Sequence, residues 1–319
     1  MAEILPVEEA LERAVALLAA GEVVALPTET VYGLAADATR GDAVARIFEA
    51  KGRPRFNPLI VHVDGLAMAE RLARFDPLSR RLAEAFWAGP LTLVLPLRPD
   101  GPIHPLVTAG LDTVALRWPV GFAARVVGAL GRPIAAPSAN PSGRVSATTA
   151  AAVAEGLGAR IPLVVDGGPT PVGLESTIVQ VAEGRLRLLR PGGVPAGEIE
   201  RVAGLPLERP GGPVVAPGML ASHYAPAAGL RLAARAVAPG EALLAFGPTR
   251  AAGADRAAMV LNLSPAGDLR EAAANLFSHL ARLDGSGAAV IAVEPVPETG
   301  LGEAINDRLA RAAAPRPPS

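Results

Sequence analysis

The 319-residue chain contains no cysteine, which removes disulfides, thiolate metal sites and thiol nucleophiles together. Aromatic residues make up only 3% of it, with two tryptophans and two tyrosines. Lysine is scarcer still: 29 of the 30 basic residues are arginine and Lys51 is the exception, while histidine is found four times. The formal net charge is −1, which argues against a protein built to coat nucleic acid, although a local basic site stays compatible with it. No run approaches the roughly 20 apolar residues of a membrane span. The opening Met1–Glu9 is acidic and has no basic stretch of a secretory leader. The expectation is a soluble cytoplasmic chain with no membrane partner. Several catalytic signatures are also missing. There is no G-x-x-x-x-G-K-[ST] loop, no G-x-G-x-x-G after a strand, no G-x-S-x-G elbow and no H-E-x-x-H. A nucleotide bound here needs another design.

What is abundant is turn-forming residues and core. The 34 glycines and 32 prolines are about 21% of the chain, against about 12% in average usage. Half of the residues are hydrophobic, enough for packed cores, and the length suits two domains. Apolar spacing predicts helices over Pro6–Ala20, Gly41–Ala50, Leu66–Ala73, Pro77–Phe86, Gly121–Leu130 and Thr148–Leu157. Short apolar runs predict strands at Val23–Leu26, Leu59–Val63, Leu91–Leu95, Thr113–Arg117, Ile134–Ala136, Leu163–Asp166, Ser176–Val181 and Leu186–Leu189. The alternation is that of an α/β fold on a mixed, largely buried sheet. Prolines and glycines crowd Gly204–Pro226, the composition of a stiffened linker. Beyond it, strands at Ala242–Phe246, Met259–Leu263 and Ala289–Val293 and helices at Leu269–Leu283 and Leu301–Ala313 predict a smaller α/β domain.

The chemistry-bearing residues sit near strand and helix ends. In Pro27-Thr28-Glu29-Thr30-Val31-Tyr32-Gly33-Leu34, an extended chain puts Thr28, Thr30 and Tyr32 on one face; the same residues suit an ordinary strand end. Lys51, Arg53 and Arg55 follow a helix end on a Gly/Pro-shaped loop. They fit phosphate oxygens or the helix dipole, and the lone lysine favours the first, being a compact point charge that arginine does not reproduce. His62 lies in an apolar strand, where a structural role is the commoner one. Pro137-Ser138-Ala139-Asn140-Pro141-Ser142-Gly143 is a polar loop at a strand end, placed for a ligand or for a simple turn. Ser176 enters one strand, and Arg190 and Arg117 leave two others. Three polar strand ends in one domain point to a shared crevice.

Together these segments resemble the YrdC/YwlC family, the threonylcarbamoyl-AMP synthases. The carrying motifs are PTETVYGL (27–34), KGRP (51–54), NPLIVH (57–62), WAGPLT (87–92), TAGLDTVALR (108–117), APSAN (136–140), DGG (166–168), ESTIV (175–179) and LRPG (189–192). Order and spacing hold over residues 5–200. Pro217-Gly218-Met219 with Ser222-His223-Tyr224-Ala225-Pro226 resembles the linker of the long form, although Leu220-Ala221-Ser222 stands where some relatives carry lysines. The resemblance implies a YrdC-like twisted mixed sheet flanked by helices over 1–204, a linker over 205–228 that can act as a lid, and a Rossmann-like α/β domain over 229–319. It implies that L-threonine, bicarbonate or CO2, and ATP give threonylcarbamoyl-adenylate and pyrophosphate for tRNA modification. By the same resemblance Thr30, His62, Arg117, the Ala136 backbone and Ser176 surround threonine. Arg53, Asn57, Thr113, Ser138, Asn140, Ser146, Arg190 and Tyr224 surround the nucleotide, and Lys51 and Arg53 carry the catalytic charge, with Mg²⁺ brought by ATP and no metal ligands assigned. Downstream tRNA threonylcarbamoyl-transferase proteins and a weak tRNA contact are the implied partners. No general base is identifiable, His62 being the one candidate.

The main rival is a double-stranded RNA- or tRNA-binding, ribosome-maturation module using the same cations as phosphate contacts. A second is a carbamoyl-adenylate site of the hydrogenase-maturation type. The C-terminal part offers no catalytic constellation: His279 sits in an ordinary helix and Asn306-Asp307 in another. It is expected to position the linker over the site.

Overall fold

The computed structural model describes residues 1–209 and 223–315. The chain begins β1 (Glu3–Pro6), α1 (Leu11–Ala19), β2 (Val24–Leu26), β3 (Gly33–Asp37), α2 (Gly41–Lys51), β4 (Ile60–His62), α3 (Leu66–Leu72) and α4 (Pro77–Phe86). It continues β5 (Leu91–Pro96), α5 (Pro105–Thr108), β6 (Thr113–Arg117), α6 (Phe122–Leu130), β7 (Ile134–Ala135), α7 (Ala150–Leu157) and β8 (Leu163–Asp166). Next are β9 (Thr177–Ala182), β10 (Arg185–Arg190), α8 (Ala196–Ala203) and β11 (Leu207–Glu208). The second part holds β12 (Gly229–Arg231), β13 (Ala242–Ala245), β14 (Val260–Asn262), α9 (Leu269–Asp284), β15 (Val290–Val293) and α10 (Leu301–Ala313). Of the expected linker, residues 210–222, with Pro217-Gly218-Met219 and Leu220-Ala221-Ser222, lie outside the described residues.

The first eleven strands form one mixed sheet in the order 1-8-2-3-7-4-6-5-9-10-11, and the last four a parallel sheet in the order 12-15-13-14. The helix expected from Pro6 starts only at Leu11, because the residues before it pair as a parallel edge strand with β8. β3 carries no β-branched residue, which hid it from the sequence pattern; it forms between β2 and β7, and all five of its residues are buried. β11 pairs with β10 inside the stretch expected as linker.

Strand alternation decides what each face does. Val61, Leu93, Leu95, Val114, Leu116, Val179 and Val181 point into the main core, with residues of the surrounding helices. Their neighbours Ile60, Val94, Ala115, Ile178 and Leu189 form a separate small cluster on the other face. In register with it, His62 lies opposite Arg117 and Ile60 opposite Ala115. The expected crevice at strand ends is therefore one face of the central strands, with an apolar floor and a polar margin.

Candidate active site

Pro27 follows the buried strand β2, and the next segment does not continue extended. Thr28 Oγ1 accepts from the Thr30 and Val31 N–H groups at 3.1 and 3.3 Å and lies 2.9 Å from Thr30 Oγ1. This turn separates the tyrosine from the threonines. Tyr32 is fully buried elsewhere, its hydroxyl donating to the Gly168 carbonyl at 2.8 Å and accepting from the Gly167 N–H at 3.1 Å. Burial raises its pKa to about 12, so it is a neutral structural phenol.

Thr30 and Thr28 instead face a cavity of about 40 Å³ that also takes in His62, Arg117, Ala136, Ser138, Ser176, Arg53, Arg190, Glu175, His223 and Tyr224. Arg117, at the end of β6, donates through Nη1 to Thr30 Oγ1 at 2.9 Å and through Nε to the Gly89 carbonyl at 3.2 Å. Its Nη2 lies 2.7 Å from Glu29 Oε1. Beside it His62 is 2% exposed. Burial, and then the Arg117 charge, hold its pKa well below the ordinary value, so the imidazole is neutral. His62 Nδ1 has no hydrogen-bond partner among the described residues.

Ser176 Oγ lies 2.7 Å from Thr92 Oγ1, and the Ser176 carbonyl accepts from Arg190 Nε and Nη2 at 3.2 and 2.9 Å. The loop after β10 reaches this point because residue 192 is glycine: a Cβ there would stand 2.4 Å from the Glu175 carbonyl oxygen. Arg53 donates to the Asn57 and Pro58 carbonyls at 3.2 and 2.8 Å. Burial brings its pKa down to about 10, with Arg190 adding to the effect, and burial likewise lowers that of Arg190. Both remain cations near neutrality, so the cavity concentrates positive charge in a dry wall, where it acts strongly on an anion.

Five expected site residues do not line this cavity. Lys51 is buried, and its ammonium donates at 2.5 Å to the carbonyls of both Ser138 and Asn140. Burial and neighbouring Arg53 push its pKa well down. Asn57 contributes its carbonyl to Arg53, with Oδ1 unpartnered among the described residues. Asn140 Nδ2 donates to the Pro141 and Arg144 carbonyls at 2.8 and 2.9 Å. Ser146 Oγ donates to Glu175 Oε1 at 2.5 Å. Thr113 opens β6, at the opposite end from Arg117. The Ala136 N–H is already used by the Ile60 carbonyl, which leaves its carbonyl for a ligand.

Four participants went unnamed as site residues in the sequence: Glu29, Glu175, His223 and Arg308. The two glutamates lie inside the quoted motifs. Arg308 comes from α10 and is fully buried against Glu175. Among the described residues no group of three histidines, aspartates or glutamates can hold a metal, and no helix is long and apolar enough to cross a membrane.

A closed crevice on a mixed sheet, walled by three buried arginines, hydroxyls and a neutral histidine, defines an α/β protein for a small anionic or zwitterionic ligand. The family follows from comparison. The Sua5/YciO/YrdC model, described as "Telomere recombination", matches residues 16–192, and the model described as "Threonylcarbamoyl-AMP synthase, C-terminal domain" matches residues 194–314. The chain belongs to the Sua5/YciO/YrdC family, in its form with this C-terminal domain. It is 42% identical to the threonylcarbamoyl-AMP synthase of Bacillus subtilis, over 96% of this chain and 93% of that one. It is 43% identical to the threonylcarbamoyl-AMP synthase of Pyrococcus abyssi, over 93% and 92%. The crystal structure of Pyrococcus abyssi Sua5 complexed with L-threonine superposes with a TM-score of 0.88 at 38% identity, covering 98% of this chain and 97% of that chain.

Proposed function

We propose that the chain is an L-threonylcarbamoyl-AMP synthase, converting L-threonine, bicarbonate and ATP into threonylcarbamoyl-adenylate, pyrophosphate and water. The observation that carries this reading is the convergence of nine expected site residues, three of them buried arginines, on one cavity. Threonine lies among Thr30, His62, Arg117, Ala136 and Ser176, its carboxylate on the Arg117 fork. The neutral amine attacks CO2, and a carbamate oxygen then attacks the α-phosphorus as the bond to the β-phosphate oxygen breaks. Arg53 and Arg190 neutralise charge developing on the departing pyrophosphate. Lys51 acts through the Ser138–Asn140 loop that its ammonium holds, and Asn57 through Arg53; Asn140, Ser146 and Thr113 complete the nucleotide surroundings. Magnesium belongs with the nucleotide, as part of the substrate.

At about 40 Å³ the cavity has room for a few waters, whereas ligand sites of ATP size take roughly 300 Å³ or more. His223 and Tyr224 line it, and on this reading they withdraw to admit ATP and return to exclude water from the adenylate. The division into a catalytic part (1–204), a linker (205–228) and a C-terminal domain (229–319) is part of the same proposal. So are a cytoplasmic setting and delivery of the adenylate to a tRNA-modifying transferase. A double-stranded RNA- or tRNA-binding role is disfavoured by burial: of the cations it would use, Lys51, Arg53, Arg117 and Arg190 are each 9% exposed or less, beyond the reach of a duplex backbone, and Arg55 alone is exposed. Calorimetry tests the reading. L-threonine is expected to bind at least tenfold more tightly than L-valine, which lacks the hydroxyl. Equal binding of the two, or no binding of either alongside salt-sensitive RNA binding, would overturn it.

A further inference from the structure

The second part of the chain sends one charged side chain into the wall of the cavity. Arg308 lies on α10 with no exposed surface, the least favourable place for a guanidinium unless its charge is met. Its Nε donates to Glu175 Oε2 at 2.9 Å and its Nη1 to Asp307 Oδ2 at 2.7 Å. Its guanidinium carbon stands 5.1 Å from the centre of the Tyr224 ring, within range of a cation–π contact. The approach of the two parts is fixed nearby at Gly173, where a Cβ would lie 2.4 Å from the Ala274 Cα on α9. Val31 and Leu174 of the first part pack into the apolar core of the second.

Glu175 is the group that needs this partner. It lines the cavity with Arg53 and Arg190 and immediately precedes Ser176. Burial opposes its ionisation, but the Arg308 and Arg190 charges and the Ser146 hydrogen bond outweigh that and hold its pKa at about 2. A carboxylate in a wall meant for a triphosphate does harm in two ways: it repels the phosphates, and it draws Arg190 away from them.

We infer that Arg308 is a positioning residue for the nucleotide, supplied by the C-terminal domain, which cancels the Glu175 charge so that Arg53 and Arg190 stay available to ATP. The inference rests on the synthase reading and adds the second domain to its nucleotide site. It makes the two partners of one ion pair behave oppositely, which a plain structural brace does not. In full-length protein, Arg308→Met is expected to raise KM for ATP by about tenfold or more and KM for threonine by less than about threefold, the carboxylate being uncovered on the nucleotide side. Glu175→Gln, which keeps an acceptor for Ser146, is expected to lower KM for ATP, since it removes the carboxylate from the phosphate wall. The double variant Arg308→Met with Glu175→Gln is expected to recover most of the lost ATP affinity. Should Arg308→Met fail to fold, Arg308→Lys carries the same test with a smaller rise, since a single ammonium cannot hold Glu175 and Asp307 and also cover the ring. Equal increases in KM for ATP from Arg308→Met and Glu175→Gln, or a double variant no better than Arg308→Met, would overturn the inference. Absence of threonine-dependent pyrophosphate release from the unsubstituted chain would instead overturn the synthase reading beneath it.

Discussion

Around the first sheet the buried polar side chains include Thr30, Lys51, Arg53, Asn57, His62, Thr92, Arg117, Glu175, Ser176 and Arg190; around the second, among the described residues, they are His223, Ser264, Glu294 and Arg308. The two sets are held differently. In the second, Glu294 accepts from the Phe246 and Ala251 N–H groups at 2.8 and 2.6 Å, and Ser264 Oγ donates to Glu271 and accepts from the Asp268 N–H at 2.9 Å. Both serve their own turns. In the first, one face of five neighbouring strands carries an apolar floor with a polar margin, and its arginines spend only part of their donors on carbonyls. Burial of polar groups alone does not mark a site; burial with donors left over, on a face that the core does not use, does. His223 and Arg308 fit neither description of the second part, and both face the first.

The largest effect is expected at Arg117. Arg117→Ala leaves Glu29 unpaired and should cost about 3–5 kcal/mol of stability, with turnover falling by about a thousandfold or more. Adding Glu29→Gln should restore much of the stability and none of the activity, read by urea unfolding and by pyrophosphate release. A double variant that regained activity would show that Arg117 only braces the turn.

Lys51 comes next. Lys51→Met strands two buried carbonyls and should cost about 2–4 kcal/mol, with KM for ATP rising through the displaced Ser138–Asn140 loop. Lys51→Arg should not rescue it, because the fork does not fit where one ammonium meets two converging oxygens. Full rescue by arginine would remove the geometric argument.

Acid offers a third comparison. His62 and His223 both have folded pKa values below the ordinary one through burial, His223 at about 3. Their neutral folded forms therefore lend stability that is complete above pH 6.5 and is lost as pH falls from there toward 3. Glu175, with a folded pKa of about 2 against an ordinary 4.5, adds a loss below pH 4.5. Each group contributes a slope of about 1.4 kcal/mol per pH unit within its window. Urea midpoints should fall between pH 6.5 and 4.5, and more gently in His223→Gln; flat midpoints over that range would contradict the burial of both imidazoles.

The smallest effect is expected in the second part. Glu294→Gln should cost about 1–2 kcal/mol and leave kcat and both KM values within twofold. A large change in KM for ATP would mean that the second sheet carries chemistry of its own.

Much of this was legible before the structure. The β-branched strands and most helices declared themselves, α5 and α8 excepted, and the motifs named nine residues that meet in the cavity. What escaped had physical causes. Gly33–Asp37 becomes a strand because two neighbours pair with it, not through local preference. Two carbonyls converge on Lys51, and carbonyl direction leaves no trace in sequence. Glu175 and Arg308 are 133 residues apart, beyond any local pattern. One signal was present: Ala304, Ile305, Leu309 and Ala312 form the buried stripe of α10, and Arg308 falls on the same stripe. An arginine at an apolar helical position calls for a buried acid elsewhere.

The central claim is that this crevice joins an amino acid to a nucleotide. The most direct measurement follows full-length chain mixed with labelled L-threonine, bicarbonate and ATP, quenched over time and resolved by mass. Threonylcarbamoyl-adenylate and pyrophosphate are expected in equal amounts, with neither formed when threonine is omitted. Pyrophosphate released at the same rate without threonine, or ATP left intact with threonine bound, would contradict the account.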